Sequence, residues 1–205
     1  TTPTNDNTSL SYIFSSTEAG TITYGGSCSS STNSATAGDN TITFNAPLAD
    51  DNYSNCKISV TDNLSNTSDN LSVSSFTIDI TAPTLLDNLT IASNNTLNTT
   101  LAKTDDVITL SITSSEAIQT PSVSIAGQAA DTVTSSDNIT WSATYEMVGS
   151  YSQGPVSLNI VFSDIAGNAG SAVDSTTNGS AVRFDSNAPT LLDNLTIASN
   201  NTLST

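Results

Sequence analysis

Carboxylates recur at matching places along this sequence, and they are the side chains in it best suited to chemistry. Glu18, Asp62, Asp79 and Asp87 form one set; Glu116, Asp164, Asp185 and Asp193 form a second in the same order. Most close an apolar stretch where Asn, Gly, Ser or Pro begins a turn or linker. Oxygen ligands gathered at one pole suit Ca²⁺, which takes about six to eight of them. Filling such a site also screens acids that otherwise repel one another. The alternative is that these acids cap turns by hydrogen-bonding the backbone, as Asp and Asn commonly do. Paired carboxylates hydrolyse glycosides in other settings. Here the pairs repeat in both halves with no aromatic-lined cleft evident, so catalysis is not expected.

The rest of the inventory excludes most other chemistry. The chain has no His, which removes the commonest general base and the Ser–His and Cys–His nucleophile pairs. It carries no nucleophile elbow and no Gly-rich phosphate loop. Only Lys57, Lys103 and Arg183 oppose 19 acids, for a formal net charge of −16 at pH 7. Such a chain repels nucleic acid and anionic membranes, attracts counter-cations and stays soluble in salty water. It has no apolar run of the length that direct membrane insertion needs. Cys28 and Cys56 are an isolated pair in a Ser- and Thr-rich sequence. They read as one disulfide, and so as an oxidising compartment, since a metal pair would lack further Cys or His ligands. Asn-x-Ser/Thr sequons, such as Asn52, Asn63, Asn88 and Asn138, exceed only mildly what this Ser and Thr content yields by chance.

The elements that must position the acids are strands. Helix formers are scarce, and apolar residues alternate with polar ones at period 2. The first half offers Tyr12/Phe14, Ile22/Tyr24, Ile42/Phe44, Ile58/Val60, Leu71/Val73 and Phe76/Ile78. The last two pairs change phase at Ser74 and Ser75, which predicts a β-bulge. The second half offers Leu89/Ile91, Ile108/Leu110/Ile112, Val123/Ile125, Trp141/Ala143/Tyr145/Met147, Val156/Leu158/Ile160/Phe162 and Val182/Phe184. Trp141 and the tyrosines fall mostly at core-phase positions. Six or seven short strands per unit, with one face apolar, predict tandem immunoglobulin-like antiparallel β-sandwiches.

Repeats set the boundaries. Residues 82–97 and 188–203 carry the same sixteen letters, APTLLDNLTIASNNTL, about 106 residues apart. That spacing is one sandwich domain. Weaker repeats align FSSTEAG at Phe14 with ITSSEAI at Ile112, and VTDNLSN at Val60 with FSDIAGN at Phe162. FTIDITAPTLLDN at Phe76 aligns with VRFDSNAPTLLDN at Val182. The expected division is a first unit at 1–81 with the disulfide, a repeat unit at 82–187, and the first-strand segment of a next repeat at 188–205.

These blocks resemble the bacterial immunoglobulin-like repeats of giant adhesins and other large surface proteins. The resemblance covers essentially the whole chain. It implies a secreted or cell-surface location, a long stalk or fibre shaft, and Ca²⁺ stiffening the junctions between units. The expected partners are neighbouring repeats of the same chain and, in a fibre, other copies. One departure stands out: Leu64-Ser65 replaces Ala166-Gly167, so the first unit's turn is expected to differ. The expected role is a non-catalytic structural spacer. The main alternative is a filament subunit that donates the 188–205 segment to a neighbouring sheet. A carbohydrate-binding module ranks below both, because it needs an exposed aromatic row and only 5% of residues are aromatic.

Overall fold

Period-2 patterning leaves each strand with one apolar face to bury, and two separate cores result. A computed structural model describes residues 2–149, 151–193 and 195–198. Asn194 and residues 199–205, part of the expected 188–205 segment, lie outside the described residues. Every regular element among the described residues is a strand, and nearly all pairing is antiparallel.

The first unit contains β1 (Ser11–Ser16), β2 (Gly20–Gly25), β3 (Ser34–Ala35), β4 (Gly38–Thr43), β5 (Asp51–Tyr53), β6 (Lys57–Thr61), β7 (Leu71–Ser72) and β8 (Phe76–Ile78). These form sheets β1-β4, β3-β2-β6-β7 and β5-β8. Phe14, Ile22, Ile42, Tyr53, Ile58 and Ile78 fill the space between them. Cys28 and Cys56 are bridged, with Cα atoms 5.3 Å apart across 28 residues of sequence. Closing a loop of that size contributes about 2–4 kcal/mol.

The second unit contains β9 (Thr90–Ser93), β10 (Leu101–Ala102), β11 (Val107–Thr113), β12 (Ser122–Ile125), β13 (Gln128–Ala129), β14 (Thr132–Ser135), β15 (Thr140–Glu146), β16 (Gly154–Pro155), β17 (Leu158–Val161) and β18 (Arg183–Phe184). One sheet runs β14-β15-β11-β9; two smaller ones run β13-β12-β17 and β10-β18-β16. Ile108, Leu110 and Ile112 of β11 stand opposite Tyr145, Ala143 and Trp141 of β15. All six are buried, and each fully buried large aliphatic side chain contributes about 1.5–3 kcal/mol.

The two units share a plan. β1, β2, β4, β6 and β8 match β11, β12, β15, β17 and β18 in order and pairing. Among the described residues the first unit has no counterpart of β9 or β14, so its β1-β4 sheet is two-stranded. The linker is stitched to the second unit. Leu86 N–H donates to the Thr113 carbonyl at 2.8 Å, and Ser115 N–H to the Thr84 carbonyl at 2.8 Å. Pro83 is buried within this stitch.

Two local expectations are corrected. No bulge marks Ser74 and Ser75. The chain changes sheets there, pairing with β6 through β7 and with β5 through β8. The phase change follows because the apolar faces of those sheets point in opposite senses. Nor do the two turns differ: Ser65 adopts φ 70° and Gly167 φ 102°, and both turns wrap an Asp carboxylate. The capping bonds hold Ser65 in a conformation that costs an L-residue about 1–2 kcal/mol.

Ser65→Gly is therefore expected to stabilise the first unit by about 0.5–1 kcal/mol, the strain relieved less the entropy glycine adds to the unfolded chain. The check is the denaturant midpoint of the first unit's transition. An unchanged or lowered midpoint would show that the turn carries no strain.

Candidate functional site

Strand ends place the acids. Asp79 follows the last residue of β8, Glu116 lies three residues past β11, and Asp164 lies three past β17. Asp79, Glu116 and Asp164 each offer an oxygen, and these atoms lie within 4.8 Å of one another. Ca²⁺–oxygen bonds run about 2.3–2.6 Å, so two ligands of one ion stand at most about 5 Å apart. The spacing fits one shared cation. Asp164 is buried, and Asp79 and Glu116 are half-buried.

The local charge is uncompensated. Burial pushes the Glu116 carboxyl above its ordinary value of 4.5, and the charges of Asp79, Asp164 and Asp50 push it further. The one salt bridge among the described residues, Lys103 with Asp106 at 3.7 Å, involves none of these acids. Asp50 was not singled out in the sequence, where it has no matching acid in the other repeat. Its Oδ2 accepts from Thr81 Oγ1 at 2.8 Å and from Ile80 N–H at 3.3 Å.

Asp164 also caps its turn. Its Oδ1 accepts from the Gly167 and Asn168 N–H groups at 2.6 and 2.8 Å, and its Oδ2 from Asn168 Nδ2 at 2.7 Å. A carboxylate has about four lone-pair sites, so capping leaves Asp164 one for a cation. The Asn168 amide also donates to the Asp79 carbonyl at 2.9 Å, tying the second unit's turn to the first unit. That role for Asn168 was missed, although its signal was present: the same Asn closes both repeat blocks, as Asn66 and Asn168.

The other acids stand apart from this cluster. Asp62 caps the equivalent turn of the first unit through Leu64 N–H, Asn66 N–H and Asn66 Nδ2, each at 2.8 Å. Those bonds, the Asn66 side chain foremost, hold its carboxyl below the ordinary value of 3.8. Glu18 and Asp62 border one open cleft of about 230 Å³. Asp185 follows β18 as Asp79 follows β8, and accepts from Asn187 N–H at 2.9 Å. Asp87 and Asp193 are exposed and join no cluster among the described residues. The Cys28–Cys56 bridge is formed and belongs to an oxidising compartment. No aromatic side chain among the described residues is fully exposed. Tyr53 stacks on Phe76 at 4.9 Å, and Tyr151 packs edge-on against Phe184 at 5.7 Å.

No family of known proteins matches the sequence, and no curated protein matches it. Among solved structures the chain is similar to Bacteroides ovatus mixed-linkage glucan utilization locus SGBP-B in complex with mixed-linkage heptasaccharide. The identity is 14%, over 87% of this chain and 43% of that one, with a TM-score of 0.24. The chain thus spans less than half of that protein's length, and a likeness of this degree assigns nothing to the junction acids.

Proposed function

We propose that this chain is a non-catalytic structural spacer from a long extracellular or cell-surface repeat protein, of the adhesin-stalk kind. The observation that carries the reading is the recurrence of one junction in parts. Glu116 and Asp164 meet Asp79 between the units. Glu18 and Asp62 stand at the equivalent turns of the first unit, and Asp185 follows β18 at the equivalent place in the second. Such a set extends from unit to unit without change. The sheet order β14-β15-β11-β9 corresponds to D-E-B-A of an immunoglobulin-like sandwich, and β13-β12-β17 supplies its C′, C and F strands. This supports the immunoglobulin-like assignment.

The mechanism is mechanical. Pro83 and the linker's backbone bonds restrict the hinge, and each sheet resists extension through its strand pairing. Ca²⁺ held by Asp79, Glu116 and Asp164 would lock the seam by joining residues of both units. The Asn168 bond to the Asp79 carbonyl holds the same seam without a cation.

Thermal unfolding in Ca²⁺ and in EGTA at fixed ionic strength tests the cation. A site filled a hundredfold over its Kd stabilises by about 2.7 kcal/mol, so a rise of several degrees is expected. Asp79→Asn should remove most of that rise. Equal curves in the two buffers would end the Ca²⁺ reading and leave these acids as turn caps.

The pH dependence follows from Glu116. Its folded pKa lies above the ordinary 4.5, so the folded chain keeps a proton that the unfolded chain releases. That contribution is fully present below about 4.5 and is lost as pH rises through the folded value. In EGTA, Glu116→Gln is expected to flatten this part of the stability–pH curve. A slope identical to the parent's would place the titrating group elsewhere.

A further inference from the structure

The sequence holds one Asn-Gly pair, Asn178-Gly179, and the fold places it where a change of backbone matters. β9 is the edge strand of its sheet and pairs with β11 on one side alone. On the other side, the 177–180 segment supplies the acceptors. Leu89 N–H donates to Thr177 Oγ1 at 3.0 Å, and Ile91 N–H to Ser180 Oγ at 2.9 Å. Leu89 and Ile91 are buried, so losing an acceptor leaves a shielded N–H unpaired, which is costly. The two acceptors flank Asn178 and Gly179, and the main chain between them sets their spacing.

The local geometry favours ring closure at this pair. Asparagine is among the thermolabile residues. Ser180 N–H donates to Asn178 Oδ1 at 2.9 Å, which folds the side chain forward over the intervening Gly179 nitrogen. Gly179 N–H has no partner among the described residues. Gly179 sits at φ 73°, with open space where a side chain would stand. Asn178 and Gly179 are both exposed, so water reaches them. The Thr176 hydroxyl donates to the Ser180 carbonyl at 2.6 Å, holding the ends of the loop together.

We propose that Asn178 is a site of spontaneous deamidation and that its isoaspartate product loosens β9. The Gly179 nitrogen attacks the side-chain carbonyl carbon of Asn178. The new C–N bond closes a succinimide, and the side-chain nitrogen leaves as ammonia with the proton that Gly179 gives up. Solvent water then opens the ring at either carbonyl, giving aspartate or isoaspartate. The isoaspartate form carries the main chain through the former side chain, adding one carbon between Thr177 and Ser180. Their hydroxyls then no longer match the spacing of the Leu89 and Ile91 N–H groups. β9 runs on from the linker stitched at Thr84 and Leu86, so the loss falls on the strand that follows the hinge. In a stalk, the hinge softens as the chain ages. Only that last step rests on the spacer reading; the deamidation does not.

The test ages the 205-residue chain in mildly alkaline buffer and follows it by peptide mapping, mass spectrometry and enzymatic isoaspartate labelling. Asn178 is expected to convert before any other asparagine. Asn178→Gln should remove the product, since glutamine would have to close a larger ring. In the isoaspartate fraction the Leu89 and Ile91 amides should exchange hydrogen about tenfold faster, the factor that about one net hydrogen bond supplies. Asn178→Asp adds the charge without the extra carbon and should exchange like the parent. An Asn178 that stays intact, or converts no faster than the other asparagines, overturns the site. Unchanged exchange at Leu89 and Ile91 in the isoaspartate fraction, or equally fast exchange in Asn178→Asp, overturns the loosening of β9.

Discussion

Backbone hydrogen bonds between Thr84–Leu86 and the end of β11 hold the stretch of chain that belongs to both units. This stitch places Asp79 against Glu116 and Asp164, and it starts β9 in the register that buries Leu89 and Ile91. It also works against electrostatics. Two ionised carboxylates about 5 Å apart repel by about 3 kcal/mol at an effective dielectric of about 20, and by less where water reaches them. A backbone hydrogen bond nets about 1 kcal/mol. A few such bonds are of the same order as the repulsion among these acids. That repulsion, after burial, is what raises the Glu116 carboxyl.

One stretch of letters lies in two environments in this molecule. In its first occurrence the LTIAS run forms β9, with Leu89 and Ile91 buried between β11 and the 177–180 segment. In its second occurrence Leu195 to Ala198 forms no strand and leaves its apolar residues in water. Intrinsic propensity is identical in both places, so propensity cannot decide the outcome. The neighbours decide: the first copy lies beside β11 and under the 177–180 segment, as expected where β-preference is mostly fit to a half-buried pleated surface.

What could be read from the letters follows the same logic. β11 and β15 were legible because one face of each meets the core and the other does not, which writes period 2 into the sequence. β13 and β14 were not, since Gln128–Ala129 and Thr132–Ser135 are short edge strands with no fully buried side chain. Three of the junction acids were legible because the repeats flagged them at strand ends. Asp50 was not, because it reaches the seam through Ile80 and Thr81 and not through a repeated position. Asp87 and Asp193 repeat faithfully yet are exposed, since repetition marks equivalent positions and says nothing of where a side chain aims. The positive φ of Ser65 was hidden because serine does not announce it. Only the shared Asp and Asn of both turns hinted that the backbones match.

The first unit has the smaller core, which raises the question of how it holds together. Its core buries twelve hydrophobic residues against eighteen in the second unit, and two of the twelve are Cys28 and Cys56. Seating a β9-like strand would bury two large aliphatic side chains at about 1.5–3 kcal/mol each. The disulfide contributes about 2–4 kcal/mol through the unfolded chain, which is comparable. The staple joins the loop that follows β2 to the residue that precedes β6, and so ties the two strands of the β2-β6 pair together at one end. The smaller core thus relies on a covalent link where the larger one relies on buried side chains alone.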